Sequence, residues 1–448
     1  MTWKPDSWRK YAAMQQPQYR DAERLESVLR HIAGYPPLVS PGEVENLKKQ
    51  IADAGKGKSF ILQGGDCAER FIDCNQTAIA DKIKILLQMS VILTYGARRP
   101  VVRLGRIAGQ YAKPRSSDFE EVDGNQFAAY RGDSVNAFEP SAQLREPDPD
   151  RLLQAYYHSV ATLNYIRAMI KGGFADLHHP HHWDLEGFRG TPQWARYHEM
   201  TGGILDAINF MESFGGVRGE SLGSVDFFIS HEGLLLGYEE ALTRHDQGTG
   251  RFYNLGAHFL WIGERTRALE GAHVEYFKGL ANPIGIKVGP TVAPDELNRL
   301  IDTLNPHGEE GRITLITRMG SEDIENALPP LLRAVDAEGI PVTWSCDPMH
   351  GNIIKSGEQK TRDFTEIMKE LRLADEIHTA EGTILGGVHF ELTGDNVTEC
   401  IGGAGELTGE DLQENYQSYC DPRLNYSQSL EMAFLITEFL VKKRGNES

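Results

Sequence analysis

The hydrophobic positions of this chain fall into short runs separated by longer amphipathic segments. From Phe60 onward each run ends in polar or glycine-rich residues and precedes a helical pattern, which is typical of βα units in a parallel sheet. Eight runs are predicted as strands: 60–63, 101–104, 227–229, 259–262, 284–287, 313–316, 342–344 and 388–391. Eight such units predict an α/β protein with a (β/α)8 TIM barrel, whose active site is built at the C-terminal ends of its strands.

Other segments flank or interrupt this pattern. Residues 1–55 are predicted to form an N-terminal helical extension, with helices over 21–31 and from Pro41 to Gly55, and residues 56–448 to form the catalytic barrel. About 120 residues separate the second and third predicted strands. They contain a helix over 150–171 and two helical stretches between 192 and 214. We interpret about 185–225 as an inserted helical module with a regulatory or interface role. A last helix is predicted over 427–444.

The composition is that of a soluble globular protein. Of 448 residues, 40% are hydrophobic and 25% charged, and 46 Lys and Arg against 64 Asp and Glu give a net charge of −18. A chain this acidic is not built to bind nucleic acid or an anionic membrane. No apolar run approaches the roughly 20 residues that span a bilayer. Five scattered cysteines and a first segment without an apolar stretch favour a reducing compartment, so we expect a cytoplasmic protein.

One stretch reverses the overall charge. Residues 82–117 contain eight Lys or Arg and no Asp or Glu. Arg106 follows the second predicted strand, and the turn from Lys113 to Ser116 combines cations with a hydroxyl group. Guanidinium groups suit carboxylate and phosphate oxygens. A solvated surface near a subunit contact is the alternative interpretation.

The same chemistry recurs at other predicted strand ends. Arg265, Lys287 and Arg318 follow or close the fourth, fifth and sixth strands. In a closed barrel, six cations would converge on one mouth: Arg106, Lys113, Arg115, Arg265, Lys287 and Arg318. Because each phosphate or carboxylate group needs two or three donors, we expect the substrates to be small polyanions.

Candidate metal ligands also lie at strand ends. Cys67 follows the first predicted strand, His350 follows the seventh, Glu391 ends the eighth, and Asp421 lies in the next connection. One thiolate, one imidazole and two carboxylates suit Mn²⁺, Co²⁺, Fe²⁺ or Zn²⁺ better than Ca²⁺. Since residues of these types are common at strand ends, their spacing alone does not establish a metal site.

Two histidine features compete with this set. The cluster at 178–182, His-His-Pro-His-His, has a metal-like composition. A surface metal site there is the alternative interpretation, but the cluster lies away from every predicted strand end, so we do not assign it a catalytic role. His389 shares a strand face with Glu391. We prefer Glu391 as the ligand and interpret His389 as a supporting or core residue.

Six segments together resemble the class II 3-deoxy-D-arabino-heptulosonate 7-phosphate (DAHP) synthases, the enzymes that open the shikimate pathway. They are LQGGDCAE at 62–69, RIAGQYAKPRS at 106–116, WIGERTR at 261–267, CDPMHG at 346–351, TGDNVTEC at 393–400 and CDPRLN at 420–425. The likeness runs from about residue 55 to the last residue, and several strings are long enough to be specific. It turns the metal site from one hypothesis among others into a firm expectation.

The resemblance implies condensation of phosphoenolpyruvate with D-erythrose 4-phosphate, releasing phosphate, with a divalent metal ion as cofactor. Mn²⁺ or Co²⁺ is favoured, with Zn²⁺ or Fe²⁺ as alternatives. By likeness, the metal ligands are Cys67, His350, Glu391 and Asp421. By likeness, the phosphoenolpyruvate contacts are Arg106, Glu264, Arg265, Lys287 and Arg318. The expected erythrose 4-phosphate contacts are Lys113, Arg115 and Ser116. The residues expected to be catalytic are Cys67, Glu264, Lys287 and His350.

The metal is expected to polarise the aldehyde so that C3 of phosphoenolpyruvate attacks it, and the cations are expected to orient and neutralise the phosphate. The sequence does not identify the group that activates the water. Glu264 and a water on the metal are the candidates, with Glu232 as a weaker one.

The resemblance also implies regulation and assembly. Inhibition by an aromatic amino acid, with tryptophan favoured, is expected through the inserted module, and the enzyme is expected to be a homodimer or homotetramer. Cys67 and Cys420 are predicted to lie close together, so a disulfide between them would remove a metal ligand. An inert buried Cys420 is the alternative.

Three other functions compete with this one. A phosphosugar aldolase or the related eight-carbon sugar-acid synthase would also need a metal and strand-end cations. Neither predicts the strings 106–116 and 261–267 together. A catalytically silent regulatory or scaffolding subunit could retain the fold, but all four ligands and all the cations are present.

Overall fold

Eight parallel strands close into a barrel. The computed structural model describes residues 3–172 and 225–447, apart from positions 123 and 358, together with the single positions 195, 199 and 202. The barrel strands are β1 (Phe60–Gly65), β2 (Val101–Arg106), β3 (Phe228–Glu232), β4 (Phe259–Ile262), β5 (Ile284–Val288), β6 (Ile313–Thr317), β7 (Thr343–Cys346) and β8 (Leu385–Glu391). Each pairs in parallel with its neighbours, and β8 pairs with β1. The predicted (β/α)8 barrel and its eight strands are confirmed.

Helices cover the barrel, and short hairpins extend from its connections. The helices are α1 (Ala22–Gly34), α2 (Pro41–Gly55), α3 (Gln76–Ala97), α4 (Asp150–Lys171), α5 (Leu236–Leu242), α6 (Ala272–Phe277), α7 (Pro294–Leu304), α8 (Ile324–Glu338), α9 (Phe364–Ala380) and α10 (Tyr426–Glu447). The hairpins pair Phe119–Val122 with Asn125–Ala128, Thr243–His245 with Phe252–Asn254, and Ile354–Ser356 with Gln359–Thr361.

The N-terminal extension contributes directly to the barrel core. A capping box between Ser40 and Glu43 and a proline at the first turn begin α2. Its apolar residues Leu47 and Ile51 pack in one cluster with barrel residues. The Thr343 hydroxyl, at the start of β7, donates a hydrogen bond of 3.0 Å to the carbonyl oxygen of Ile51. Helix α2 therefore covers the N-terminal end of the barrel, opposite the strand ends that carry the candidate site.

The long connection between β2 and β3 is only partly described. The predicted helix over 150–171 is present as α4, and Gly172 follows it as predicted. The predicted helical stretches between 192 and 214 and the histidine cluster at 178–182 lie outside the described residues. Among the helices that the structure does describe, none combines the length and the apolar character needed to cross a membrane.

Candidate active site

A cavity opens at the C-terminal ends of the barrel strands. Every one of the eight strand ends contributes to this mouth or to the layer beneath it. The residues that line it are Cys67, Arg106, Gln110, Lys113, Pro114, Glu232, Trp261, Gly263, Glu264, Arg265, Lys287, Arg318, His350 and Asp421. Nine of them were singled out from the sequence as ligands or substrate contacts. Glu391 lies beneath the mouth, where it is fully buried.

The four predicted metal ligands meet at one place. Donor atoms of Cys67, Glu391 and Asp421 all lie within 4.8 Å of one another. The fourth, His350, places Nε2 at 3.0 Å from Glu391 Oε1. These side chains come from opposite ends of the chain. Their meeting follows from barrel closure, which makes β1 a neighbour of β8.

The donor set already surrounds a positive charge. The Lys113 ammonium nitrogen lies 2.6 Å from Cys67 Sγ, 2.7 Å from Asp421 Oδ2 and 3.6 Å from Glu391 Oε1. An anionic pocket that holds an ammonium group in this way also has the charge and donor types for a divalent cation. The residues present therefore fit a metal ion.

Buried arginines orient the Glu391 carboxylate. Arg362 donates to Oε2 at 2.7 Å and Arg106 donates to Oε1 at 3.1 Å. Burial alone would raise the pKa of Glu391, but the positive charges of His350, Lys113, Arg362 and Arg106 outweigh it and hold that pKa well below its usual range. Glu391 is therefore held as a carboxylate.

Asp347 is a site residue that the sequence did not single out. Its carboxylate accepts a hydrogen bond from His350 Nδ1 at 2.7 Å. It also accepts a hydrogen bond from the Lys287 ammonium group. Holding Nδ1 directs Nε2 of His350 towards the metal-type donors, as carboxylates behind metal-binding histidines do. Asp347 follows β7 directly, and its place three residues before His350 is the signal that could have identified it.

A second network that the sequence did not indicate joins the loops that carry two of the predicted ligands. Arg423 donates to Asp66 Oδ1 at 2.6 Å and to Glu399 Oε1 at 2.8 Å. Asp66 precedes Cys67, and Arg423 lies two residues after Asp421. This buried ion pair therefore links the loops on which two of the predicted ligands lie.

Glu69, another residue missed from the sequence, shapes the loop after β2. Its carboxylate accepts hydrogen bonds from the backbone N–H groups of Ala108, Gly109 and Gln110 at 2.9, 2.8 and 2.7 Å. Arg106, at the start of this loop, donates to the carbonyl oxygens of Asp66 and Cys67, each at 3.0 Å. Arg106 lines the cavity, but these donors already contact protein atoms.

Two arginines at the mouth have donor groups without a partner among the described residues. Arg318 donates to the carbonyl oxygen of His350 at 2.7 Å, while its buried Nε has no hydrogen-bond partner in the described part of the chain. Arg265 is exposed and forms no hydrogen bond or ion pair among residues 3–172 and 225–447. Lys287 lies beside them in the same cavity. Together these groups can bind phosphate and carboxylate oxygens.

The two glutamates at the mouth differ in their surroundings. Glu264 accepts hydrogen bonds from Arg267 and from the backbone N–H of Gly289, each at 2.8 Å. Glu232 Oε1 is buried and has no partner among the described atoms. Burial raises the pKa of Glu232 in spite of nearby cations. Glu232 thus places in the cavity lining a carboxyl oxygen that has no hydrogen-bond partner among the described residues.

The structure places Arg115 and Ser116 beside the mouth rather than in its lining. Arg115 pairs with Glu120 at 2.6 Å. Arg115 and Ser116 line a neighbouring cavity of about 590 Å³, which the N-terminal segment 13–18 bounds on another side. The Lys113–Ser116 turn therefore lies between two cavities, with Lys113 facing the metal-type donors.

Cys67 and Cys420 share one small buried cluster with Tyr130. Both thiols are free. Their proximity agrees with the expectation from the sequence, and disulfide formation between them stays a hypothesis.

The fold and the site define a (β/α)8-barrel protein with a metal-type donor set beside a cationic pocket. Comparison with known proteins then identifies the family. The model of the class-II DAHP synthetase family matches residues 3–437, and the chain belongs to this family. The enzyme class and family expected from the sequence motifs are confirmed.

Three relatives match along almost their whole length, and each bears the name phospho-2-dehydro-3-deoxyheptonate aldolase. The Neurospora crassa protein is 48% identical, with 99% of this chain and 95% of the relative covered. The Streptomyces coelicolor protein is 47% identical, with 97% and 96% covered. The Mycolicibacterium smegmatis protein, called AroG, is 47% identical, with 96% and 92% covered.

Proposed function

We propose that this protein condenses phosphoenolpyruvate with D-erythrose 4-phosphate and water to give DAHP and inorganic phosphate, the first step of the shikimate pathway. One observation carries the proposal. A converging set of thiol, imidazole and carboxylate donors lies in the same barrel mouth as Arg265, Lys287 and Arg318. Family membership and the names of the relatives support the same activity.

Cys67, His350, Glu391 and Asp421 would hold the divalent metal, for which Mn²⁺ or Co²⁺ is favoured over Zn²⁺ or Fe²⁺. When bound, the ion would supply Lewis-acid polarisation of the aldehyde. Asp347 holds the His350 ring, and Arg362 holds the Glu391 carboxylate. The donor set is therefore oriented before any ion arrives.

The cations divide between two substrates. Lys287, Arg265 and the free Nε of Arg318 would bind the phosphate and carboxylate of phosphoenolpyruvate. The turn that carries Lys113 and Arg115 would hold erythrose 4-phosphate. In this arrangement C3 of phosphoenolpyruvate forms the new bond to the aldehyde carbon, and the aldehyde oxygen takes up a proton. Catalysis would come mainly from orientation and fixed charges.

Water must then add to C2 before phosphate departs, and we assign the proton transfer to Glu232. Its unpartnered, buried Oε1 lies in the mouth, whereas both oxygens of Glu264 are engaged by protein donors. The raised pKa of Glu232 also suits a group that accepts a proton and later returns it. This assignment reverses the order of preference drawn from the sequence.

Glu232→Gln is expected to lower kcat by about 10²–10⁴-fold, the usual contribution of a positioned general base. The KM for phosphoenolpyruvate should change little, because the amide retains the shape of the side chain. Steady-state kinetics of the variant would measure both values. Glu431→Gln is the matched control, since Glu431 has a pKa raised by burial but lies on α10 outside the cavity. Equal kcat values for both variants would contradict the role.

Activity is also expected to fall at alkaline pH. Burial lowers the pKa of Lys287 to about 8, helped by Arg106 and opposed by the carboxylates of Asp347 and Glu391. Below this pKa Lys287 is cationic and can bind an anion, and above it the charge is lost. The kcat/KM for phosphoenolpyruvate should therefore be level below about pH 8 and fall up to about tenfold per unit above it.

A pH series on the wild type and Lys287→Arg tests this expectation. An arginine cannot lose its proton in this range, so the alkaline decline should disappear in the variant even where its overall activity is low. The same decline in both proteins would contradict the assignment to Lys287.

The identity of the acceptor separates this proposal from the rival barrel enzymes. Mass spectrometry of the product should show a seven-carbon sugar acid phosphate formed from erythrose 4-phosphate. A five-carbon aldose phosphate should give no eight-carbon product. An eight-carbon product, or cleavage of a sugar phosphate without phosphoenolpyruvate, would contradict the proposal.

Regulation by an aromatic amino acid, with tryptophan favoured, remains part of the proposal, as does assembly into a homodimer or homotetramer. Both are predicted to depend on the module at about 185–225, most of which lies outside the described residues.

A further inference from the structure

The N-terminal segment before α1 reaches across to the turn assigned to erythrose 4-phosphate. Gln15 accepts a hydrogen bond on its side-chain oxygen from the backbone N–H of Arg115 at 2.8 Å. The same oxygen lies 3.5 Å from Nη1 of Arg131, which also donates to it. The backbone of Arg131 in turn accepts from the N–H of Lys113 at 2.9 Å. One amide oxygen thus contacts the backbone of the turn at Arg115 and the side chain of Arg131, whose own backbone holds Lys113.

The segment that carries Gln15 is itself anchored. The next residue, Gln16, donates to the carbonyl oxygen of Leu234 at 2.7 Å and accepts from the N–H of Leu236 at 3.1 Å. These contacts tie the segment to the loop after β3 and to the first residue of α5. The backbone N–H of Ala272 donates to the carbonyl oxygen of Ala12 at 3.1 Å. Gln15 therefore extends from a fixed backbone.

The backbone at Gln15 adopts a conformation that glutamine rarely takes. Its φ angle is +63°, in the left-handed region that favours glycine. A non-glycine residue held there is under strain that surrounding contacts must offset. The left-handed backbone places the Gln15 side chain on the Arg115 N–H, and the anchoring by Gln16 holds it there.

The side chain of Arg115 is held separately. Its guanidinium group pairs with Glu120 at 2.6 Å, and Glu120 also pairs closely with the buried Arg145. Those contacts fix the far end of Arg115 but not its backbone. The contact from Gln15 holds the backbone N–H of Arg115, while the carbonyl oxygen of Arg131 holds that of Lys113.

We propose that Gln15 is a positioning residue, which sets the backbone of the Lys113–Ser116 turn and thereby the affinity for erythrose 4-phosphate. This inference rests on the proposed function, because it concerns the acceptor of that reaction. It also gives the N-terminal extension a part in substrate binding in addition to covering the barrel.

Three variants separate the hydrogen bond from other effects of the position. Gln15→Leu removes the acceptor but retains similar bulk. Gln15→Glu retains an oxygen that can accept from the same N–H group and from Arg131. Gln15→Gly removes the acceptor and also relieves the backbone strain. The matched control is Gln18→Leu, since Gln18 is an exposed glutamine of the same segment that lines the same cavity.

Steady-state kinetics with each substrate varied in turn, together with thermal unfolding, tests the proposal. In Gln15→Leu and Gln15→Gly the KM for erythrose 4-phosphate should rise about tenfold, while kcat and the KM for phosphoenolpyruvate stay within about twofold. Gln15→Glu should restore most of the loss, and Gln18→Leu should match the wild type.

An unchanged KM for erythrose 4-phosphate in both Gln15→Leu and Gln15→Gly would overturn the positioning role. Equal changes in the KM values of both substrates, or no rescue by Gln15→Glu, would also overturn it. If Gln15→Leu does not fold, Gln15→Gly and Gln15→Glu still decide the matter. A wild-type protein that is inactive with both substrates would refute the proposed function itself, whereas an active wild type with unaffected variants refutes only the role of Gln15.

Discussion

Cys67→Ser is expected to lower the affinity for the divalent metal by about 10³-fold and the activity at limiting metal by at least as much. Cys67 Sγ lies within 4.8 Å of the Glu391 and Asp421 donor atoms, and a serine hydroxyl does not supply the anionic soft ligand. Changes around metal ligands typically cost 10–100-fold in affinity, so loss of a ligand should cost more. Isothermal titration with Mn²⁺ or Co²⁺ after chelator treatment measures the affinity directly.

Cys74→Ser is the matched control for this substitution. Cys74 lies in the same connection after β1, but it is half-buried and contacts Thr162 and the carbonyl oxygen of His158 rather than the donor set. It should bind metal like the wild type. Unaltered metal affinity in a folded Cys67→Ser protein would show that the thiol is not a ligand.

Arg318→Met and Arg265→Met are each expected to lower kcat/KM for phosphoenolpyruvate by about 10²–10³-fold. Bound phosphoenolpyruvate would cover these guanidinium groups, and removing one partner of a desolvated charge pair typically costs about 2–5 kcal/mol. Every 1.4 kcal/mol is tenfold. The KM for erythrose 4-phosphate should change much less, because the other cations serve that substrate. Initial rates with each substrate varied separately would show the difference.

Arg265 makes the cleaner test of the two. Its side chain forms no hydrogen bond or ion pair among the described residues, whereas Arg318 also donates to the carbonyl oxygen of His350. Metal affinity should therefore be measured for Arg318→Met as well. Arg333→Met is the control, because Arg333 is an exposed arginine on α8 that pairs with Glu381. A similar loss in the control, or none in Arg265→Met, would contradict the assignment of the cationic pocket.

Much of this site could be predicted because a barrel converts order along the chain into position in space. Strand ends meet at one face whatever the sequence between them. Cys67 at the first strand and Glu391 at the eighth could therefore be expected to meet although they are more than 300 residues apart, and the structure brings them together. The same reasoning brought Lys287 and Arg318 to the mouth.

The supporting contacts could not be predicted in this way. Asp66 and Arg423 pair across 357 positions of sequence, and nothing in the local pattern of either residue specifies the other. The position of each candidate glutamate in its motif does not show which of its carboxylate oxygens has a hydrogen-bond partner. Only the structure shows that both carboxylate oxygens of Glu264 accept hydrogen bonds from the protein, whereas Oε1 of Glu232 has no partner among the described atoms.

The N-terminal extension illustrates the same limit. Proline and glycine predicted the bounds of α2 well, because helix ends are encoded locally. Its packing under the barrel depends on which apolar residues it meets, and those come from strands elsewhere in the chain. The contact from Gln15 to Arg115 spans 100 residues and has no local signature at all.

Loss of phosphoenolpyruvate, followed with and without erythrose 4-phosphate, tests the central claim most directly. The assay would be run on the untreated protein, after removal of metal by a chelator, and after addition of Mn²⁺ or Co²⁺. We predict consumption only when both substrates are present, loss of that consumption on chelation, and its return with added metal. No consumption with both substrates and metal present, or consumption that survives complete removal of metal, would contradict the account.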